Sequence, residues 1–274
     1  MCGIVGLFLK TPSLQPQLGL HFAPMLVGMS ERGPDSTGFA VYHHPIADDR
    51  CKLTLYNADA AFPWGEVGTQ LGRALDAEVD VLIKGCHAIL TVDAEADRVR
   101  AWAGEHHPEI RIMGYGRVME VYKEKGLTAD VVEKYGVAEM EGSHAVGHTR
   151  MATESAVTTI HSHPFPAAAD TCLVHNGSLS NYNRLRQWLR RQGMTFETDN
   201  DTEVAARYFA YRLGQGASLA EAMEAGLRDL DGFYTFTMGT EDGFAVLRDG
   251  IACKPAVLAE TDHWVAMASE YRSL

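Results

Sequence analysis

The sequence has no long apolar run, no excess of positive charge and no closely spaced cysteines, and each absence closes off a class of protein. A membrane-spanning helix needs about 20 consecutive apolar residues, and no such stretch occurs. The N-terminus lacks a basic segment leading into a long apolar core, so no export signal is read and a cytoplasmic protein is expected. Lys and Arg number 24 against 36 Asp and Glu, a formal net charge of -12. Such a surface repels nucleic acid and anionic membranes, and neither is expected as a partner. The five cysteines, Cys2, Cys51, Cys86, Cys172 and Cys253, are odd in number and scattered. This argues against a disulfide framework, a zinc site or an iron–sulfur motif. A glycine-rich loop of the kind that cradles phosphate is also missing.

What is present is a chain with 46% hydrophobic residues, enough for a sizeable core, that opens on an unusual residue. Removal of Met1 would leave Cys2 with a thiol and a free α-amine, a nucleophile and a proton acceptor on one residue. An α-amine titrates at about 7.7 to 8 and a thiol near about 8.5, so a proton can pass between them near neutral pH. Gly3 to Phe8 is a short apolar run bounded by glycines, which suits a buried strand carrying the nucleophile at its end.

Further along, residues 23–29 can form a short helix before the turn-rich Glu31-Arg32-Gly33-Pro34-Asp35 stretch and a second strand, Phe39 to Tyr42. From His43 to Met140 the texture changes to a βαβα rhythm: residues 52–56 alternate as a strand, residues 97–104, 116–125 and 129–135 look helical, and 110–113 extended. This reads as an inserted lobe at about 43–140 packed on a main body. Polar motifs then return at Gly147-His148-Thr149-Arg150, His161-Ser162-His163-Pro164 and the strand Thr171 to His175, which ends in Asn176-Gly177. Three helices follow, near residues 181–193, 201–211 and 219–230, and then four short strands. Strands at both ends with helices between them predict an α+β protein in which two sheets pack face to face under helical layers.

Taken singly, the polar positions have ordinary readings: Cys2 an apolar filler, Asn176-Gly177 a turn, Asp201 a helix N-cap, Arg150 a surface charge and His163 a loop residue. His161, His163 and His175 could suggest zinc, but no carboxylate motif accompanies them and no metal is expected. As an ordered set, however, Cys2-Gly3-Ile4-Val5-Gly6, Arg32-Gly33-Pro34-Asp35, Gly147-His148-Thr149-Arg150, His163-Pro164-Phe165, His175-Asn176-Gly177 and Asp201-Thr202-Glu203 resemble the class II glutamine amidotransferases. These are N-terminal-nucleophile amidohydrolase domains. The resemblance covers residues 1–42 and about 141–271.

It implies a four-layer αββα sandwich of two antiparallel sheets, with residues 1–274 forming one amidotransferase domain. It also implies a γ-glutamyl thioester on Cys2, with Asn176 and Gly177 holding the oxyanion. Arg150 would fork onto the α-carboxylate of glutamine and Asp201 would accept from its α-ammonium. Thr153 and His163 would line the pocket, and Arg32 would brace the nucleophile end of the strand.

No acceptor domain is read in the chain. The run Arg248-Asp249-Gly250-Ile251-Ala252-Cys253-Lys254-Pro255 and the long insertion resemble the stand-alone amidotransferase subunit of glutamate-synthase-like complexes, including the N-methylglutamate synthases. That likeness implies a hetero-oligomer in which a synthase subunit carries FMN and an iron–sulfur cluster, with no cofactor in this chain. Glutamine or a γ-glutamylmethylamide would be the substrate. A catalytically silent structural subunit with a vestigial pocket is one alternative. An acylase or self-processing peptidase is another, though an uncharged acyl substrate would leave Arg150 and Asp201 without partners.

Overall fold

The computed structural model describes residues 1–152 and 156–274. Strand β1 (Gly3–Leu9) is buried along almost its whole length on both faces, which places it inside a layered fold. Val5, Leu7 and Leu9 join a core with Phe22 and Leu26 of helix α1 (Leu18–Val27), while Ile4 packs against Val174 and Met267 on the opposite side. Fully burying a Leu or Phe side chain stabilises by about 1.5–3 kcal/mol, so both faces contribute.

Strand β2 (Ser36–Tyr42) follows, and then β3 (Cys51–Tyr56), α2 (Trp64–Leu75), β4 (Val79–Lys84), β5 (His87–Val92), α3 (Ala96–His106) and β6 (Arg111–Gly116). Next come β7 (Met119–Lys125), α4 (Thr128–Tyr135), β8 (His144–Arg150), β9 (Phe165–Ala168) and β10 (Thr171–Leu179). The chain continues through α5 (Tyr182–Arg191), α6 (Asp201–Gly214), α7 (Leu219–Asp229), β11 (Gly232–Thr240), β12 (Gly243–Arg248), β13 (Val257–Glu260) and β14 (Trp264–Ala268).

Among the described residues these strands make a six-stranded sheet, ordered β13-β14-β1-β8-β2-β7, and a four-stranded sheet, β12-β11-β10-β9. The pairings within both are antiparallel. Helices α1 and α4 cover the outer face of the first sheet, where Phe22, Leu26, Val131 and Tyr135 meet Phe39 and Tyr122. Helices α5, α6 and α7 cover the second, through Leu189, Val204, Phe209 and Ala222 against Leu173 and Phe236. The result is the αββα sandwich.

A third sheet, β4-β5-β3-β6, has its own core with α2 and α3 around Leu53, Trp64, Leu90 and Trp102. It lies within residues 51–116. The rest of the 43–140 stretch packs with the main body, because β7 pairs with β2 from Ser36 to Tyr42 and α4 lies beside α1. Residues 116–125, expected as helix, are therefore largely strand. Val118, Val121 and Tyr122 favour the pleated conformation, and Glu120 and Lys123 are buried. Lys52 Nζ lies 2.9 Å from Glu120 Oε1, and Tyr122 OH donates to Glu120 Oε2 at 2.7 Å. Helix α1 starts and ends earlier than the apolar stretch 23–29 indicated, and it accommodates Pro24.

One carboxylate ties the third sheet to the second. Asp170, in the turn between β9 and β10, accepts backbone N–H bonds from Arg117 (2.7 Å), Val118 (2.9 Å) and Met119 (2.9 Å). Its own N–H donates to the Tyr115 carbonyl at 2.8 Å, and its φ of 50° lies in the left-handed region. Asp tolerates that conformation better than most residues, and its charge strengthens each accepted bond. Asp170→Ala should lower the unfolding free energy by about 3 kcal/mol in urea titrations followed by circular dichroism, because buried donors lose their acceptor. Asp170→Asn, which keeps an acceptor and the φ tolerance, should lose less than half of that.

Candidate active site

Strand register assembles the site. Gly3 pairs with Thr149 between β1 and β8, and Ser36 pairs with Arg150 between β2 and β8, so Cys2, Arg150 and the residue 32–35 turn meet at one end of the six-stranded sheet. Arg32 Nε donates to the Cys2 carbonyl at 3.0 Å, and its Nη1 reaches Glu270 Oε1 at 2.8 Å. Asp35 Oδ2 accepts from Ala152 N at 2.7 Å, and Asp35 N donates to the Arg150 carbonyl at 3.1 Å. The turn thus holds both the nucleophile end and the segment after β8. Gly33 makes this possible, since a Cβ there would lie 2.4 Å from the Thr149 carbonyl carbon.

The second sheet supplies the facing wall. His175, Asn176 and Gly177 lie inside β10, opposite Phe236, Thr235 and Tyr234 of β11, and do not form the turn that Asn-Gly suggested. Gly177 has φ 146°, and a Cβ there would sit 2.1 Å from the Phe233 carbonyl oxygen, so only glycine continues the strand at this point. Asn176 is 2% exposed, and among the described residues its Nδ2 has no hydrogen-bond partner. Asp201 is the first residue of α6; the N-cap is Asn200, whose Oδ1 accepts from Thr202 N at 2.8 Å. One Asp201 oxygen accepts from Leu179 N at 2.9 Å, and the other lies 3.8 Å from His175 Nδ1.

Between these walls is a cleft of about 540 Å³, lined by Cys2, Arg150, His163, Gly177, Asp201 and Lys254 among others. Cys2 Sγ is 3.8 Å from the Met151 carbonyl oxygen. Met1, 59% exposed, lies over the cleft with its amino group 2.8 Å from Met151 Sδ. Of the positions singled out in the sequence, Cys2, Arg150, His163, Gly177 and Asp201 line the cleft. Arg32 and Asn176 stand behind it, and Thr153 lies outside the described residues.

Burial dominates the electrostatics. It pushes the Cys2 thiol up, against the cations Arg150 and Lys254. It lowers Arg150, against Cys2, Asp35 and Asp201; the guanidinium also donates to the Ala156 carbonyl at 3.0 Å. His148, His163 and His175 are all held below their ordinary range by burial. His175 Nδ1 contacts Thr202 Oγ1 at 2.9 Å, and His148 Nε2 contacts the His175 carbonyl, also at 2.9 Å. Neutral imidazoles therefore back a cleft whose charge comes from Arg150, Lys254 and carboxylates. Among the described residues no His, Cys, Asp and Glu cluster has metal-holding geometry.

Comparison with known proteins bears on the family and the fold. The profile of the glutamine amidotransferase domain matches residues 148–274. The glutamine phosphoribosylpyrophosphate amidotransferase of B. subtilis, solved with ADP and GMP, superposes over 99% of this chain with a TM-score of 0.59 at 19% identity. This chain spans 42% of that structure's length. A glutamine amidotransferase-like protein, GlxB, of Rhizobium meliloti (strain 1021) is 51% identical over 100% of this chain and 91% of its own length. The chain belongs to the class II glutamine amidotransferases. A putative glutamine amidotransferase of Methanothermobacter thermautotrophicus is 31% identical over 100% of this chain and 93% of its own length.

In this amidotransferase, sequence reasoning gave no role to Tyr182, Phe233, Lys254 or Asp35. Asp35 was visible in its motif. Phe233 and Lys254 join the cleft only through the fold of β10, β11 and the turn after β12, and no local pattern marks them.

The buried histidines make a measurable prediction. Burial holds His87, His144 and His148 at about 3, 4 and 3. An unfolded histidine titrates near about 6.5, so between these values the unfolded chain binds protons that the fold excludes. Stability from this source is complete above pH ~6.5 and is lost as the pH falls toward ~3. Unfolding free energy should drop by roughly 1 kcal/mol per pH unit for each such imidazole in that window. Urea titrations at stepped pH test the slope, and His144→Gln should flatten it by the share of one group.

Proposed function

We propose that this amidotransferase hydrolyses the γ-amide of glutamine, or of a γ-glutamylmethylamide, through a thioester on Cys2. It then passes ammonia or methylamine to a separate glutamate-synthase-like subunit. Once Met1 is removed, the α-amine of Cys2 takes the thiol proton as Sγ attacks the γ-carbonyl carbon. The carbonyl oxygen becomes an oxyanion held by Asn176 Nδ2 and the Gly177 N–H. Collapse of that intermediate expels the amine, which takes the proton from the α-ammonium of Cys2. Water, deprotonated by the same α-amine, then attacks the thioester to release glutamate and restore the thiol.

Arg150 forks onto the α-carboxylate of the substrate, and the Asp201 oxygen not used by Leu179 accepts from its α-ammonium. Thr153 and His163 line the same pocket, and Arg32 holds the Cys2 carbonyl in place. The observation that carries the reading is the buried amide of Asn176. It is a donor without an acceptor among the described residues, just behind the cleft and between His175 and Gly177, which line it. Leaving such a donor unpaired costs about 1–3 kcal/mol, which a substrate oxyanion would offset.

The acceptor chemistry is assigned to the partner, which on this reading carries FMN and an iron–sulfur cluster and meets this subunit in the cytoplasm. Co-purification from the native source tests that assignment: a synthase subunit with flavin absorbance is expected, and a partner lacking flavin would count against it. Cys2→Ala should abolish glutamine-dependent turnover of the complex and leave ammonia-dependent turnover within about twofold. Asn176→Asp, similar in size but opposite in electrostatic sense, should lower kcat for glutamate release by about 10²- to 10³-fold with a smaller change in KM.

A second reading is a silent structural subunit. Were Met1 retained, the α-amine would sit against Met151 Sδ and Cys2 would have only an amide nitrogen. Intact mass decides between the two, together with labelling of Cys2 by 6-diazo-5-oxo-norleucine. A retained Met1 and an unlabelled Cys2 would establish the silent subunit.

A further inference from the structure

The turn after β12 is built to deliver one side chain. The Asp249 carboxylate accepts from Tyr234 N at 3.1 Å and from Ala252 N at 2.9 Å, holding Ala252 at φ 55°. The Lys254 carbonyl accepts from Thr235 Oγ1 at 2.9 Å and from Arg248 Nε and Nη2 at 3.1 and 2.8 Å. These bonds engage the backbone of Lys254 and leave its side chain to extend along the cleft wall. The ammonium lies 5.0 Å from the centroid of the Phe233 ring and 3.7 Å from Met1 Sδ. It forms no salt bridge among the described residues, and its charge acts on both Cys2 and His175.

We propose that Lys254 is a positioning residue for the proton on Cys2, its ammonium keeping the freed α-amine unprotonated and favouring the thiolate. The inference rests on the reading that Met1 is removed and Cys2 is the nucleophile.

The other groups facing Cys2 leave this task to Lys254. From β8, Arg150 presents a second cation, but bound substrate sets its α-carboxylate against it, and Asp35 lies nearby. From the far rim, Asp201 meets the substrate α-ammonium, and Asp199 lines the same side. His163 and His175, kept neutral by burial, add no charge. Lys254 is then the cation left uncompensated in the occupied site. A like charge in a partly hydrated cleft shifts a neighbouring amine by about half to one pH unit.

The test uses full-length protein whose intact mass lacks Met1, as wild type, Lys254→Met and Lys254→Arg. Iodoacetamide alkylation of Cys2, resolved by peptide mass so that Cys86 and Cys253 do not interfere, is followed against pH together with glutamate release. In Lys254→Met the alkylation midpoint and the acid limb of kcat should both move up by about half to one pH unit, with Lys254→Arg restoring them. Thermal unfolding should not change, because the turn is held through backbone atoms. Identical midpoints in all three proteins overturn the inference while leaving the hydrolase reading intact. A wild-type protein that lacks Met1 yet releases no glutamate defeats the hydrolase reading, and the inference falls with it.

Discussion

Gly3 faces Thr149 across the antiparallel ladder between β1 and β8, and the cleft depends on that pairing. It sets Cys2 beside Arg150, although the two lie in different halves of the chain. A slip of one residue would turn Ile4 away from the inter-sheet core and Val5 away from α1, so burial of both faces of β1 guards the register. The residue 32–35 turn reinforces it from outside the ladder. Arg32 takes the Cys2 carbonyl and Asp35 takes the Ala152 amide, so one turn positions both the nucleophile and the segment that follows β8. These bonds employ charged groups, which roughly doubles the strength of each relative to a neutral pair.

Much of this was legible in the sequence, and the parts that were not share a cause. Strand β1 and the helices after residue 180 carry clear apolar periods, and the motifs around Cys2, Arg150, Asn176 and Asp201 bring chemistry with them. Residues 116–125, expected as helix, are largely strand, and the fold buries Glu120 and Lys123 there beside Lys52 and Phe165. Local pattern assumes that charge means solvent, and here it means tertiary contact. Asn-Gly misled in the same way: it ordinarily marks a turn, but the close passage of the Phe233 carbonyl demands a glycine in mid-strand. Asp201 had the look of an N-cap because it stands next to one; Asn200 caps the helix, which frees the Asp201 carboxylate to face Leu179 and the cleft.

The insertion illustrates the limits of reading domain edges from texture. Its sheet and helices form a separate core, yet β7 completes the six-stranded sheet and α4 completes the helical layer above it. The change in composition at residue 43 is real, but the return to the main body happens inside a stretch of similar composition, at the Asp170 contacts. Asp170 also closes the turn into β10, the strand of Asn176 and Gly177, so the anchor of the third sheet directly precedes a strand that walls the cleft.

The cleft leaves several buried polar atoms unpaired among the described residues, including Asn176 Nδ2, His163 Nδ1 and His175 Nε2. Each costs stability that the apolar cores must offset. A fold selected for stability alone would replace such groups with apolar ones of the same shape, since their desolvation is not compensated. They lie in or just behind the cavity that Arg150, Lys254, Asp199 and Asp201 share, while the Glu203 carboxylate nearby is hydrogen-bonded to Thr198 through both its backbone N–H and its hydroxyl. The contrast separates polar groups that hold the structure together from polar groups held ready for a ligand. On the proposed reading, the unpaired Asn176 amide on β10 suits a strand that presents donors to charge existing only while the substrate reacts.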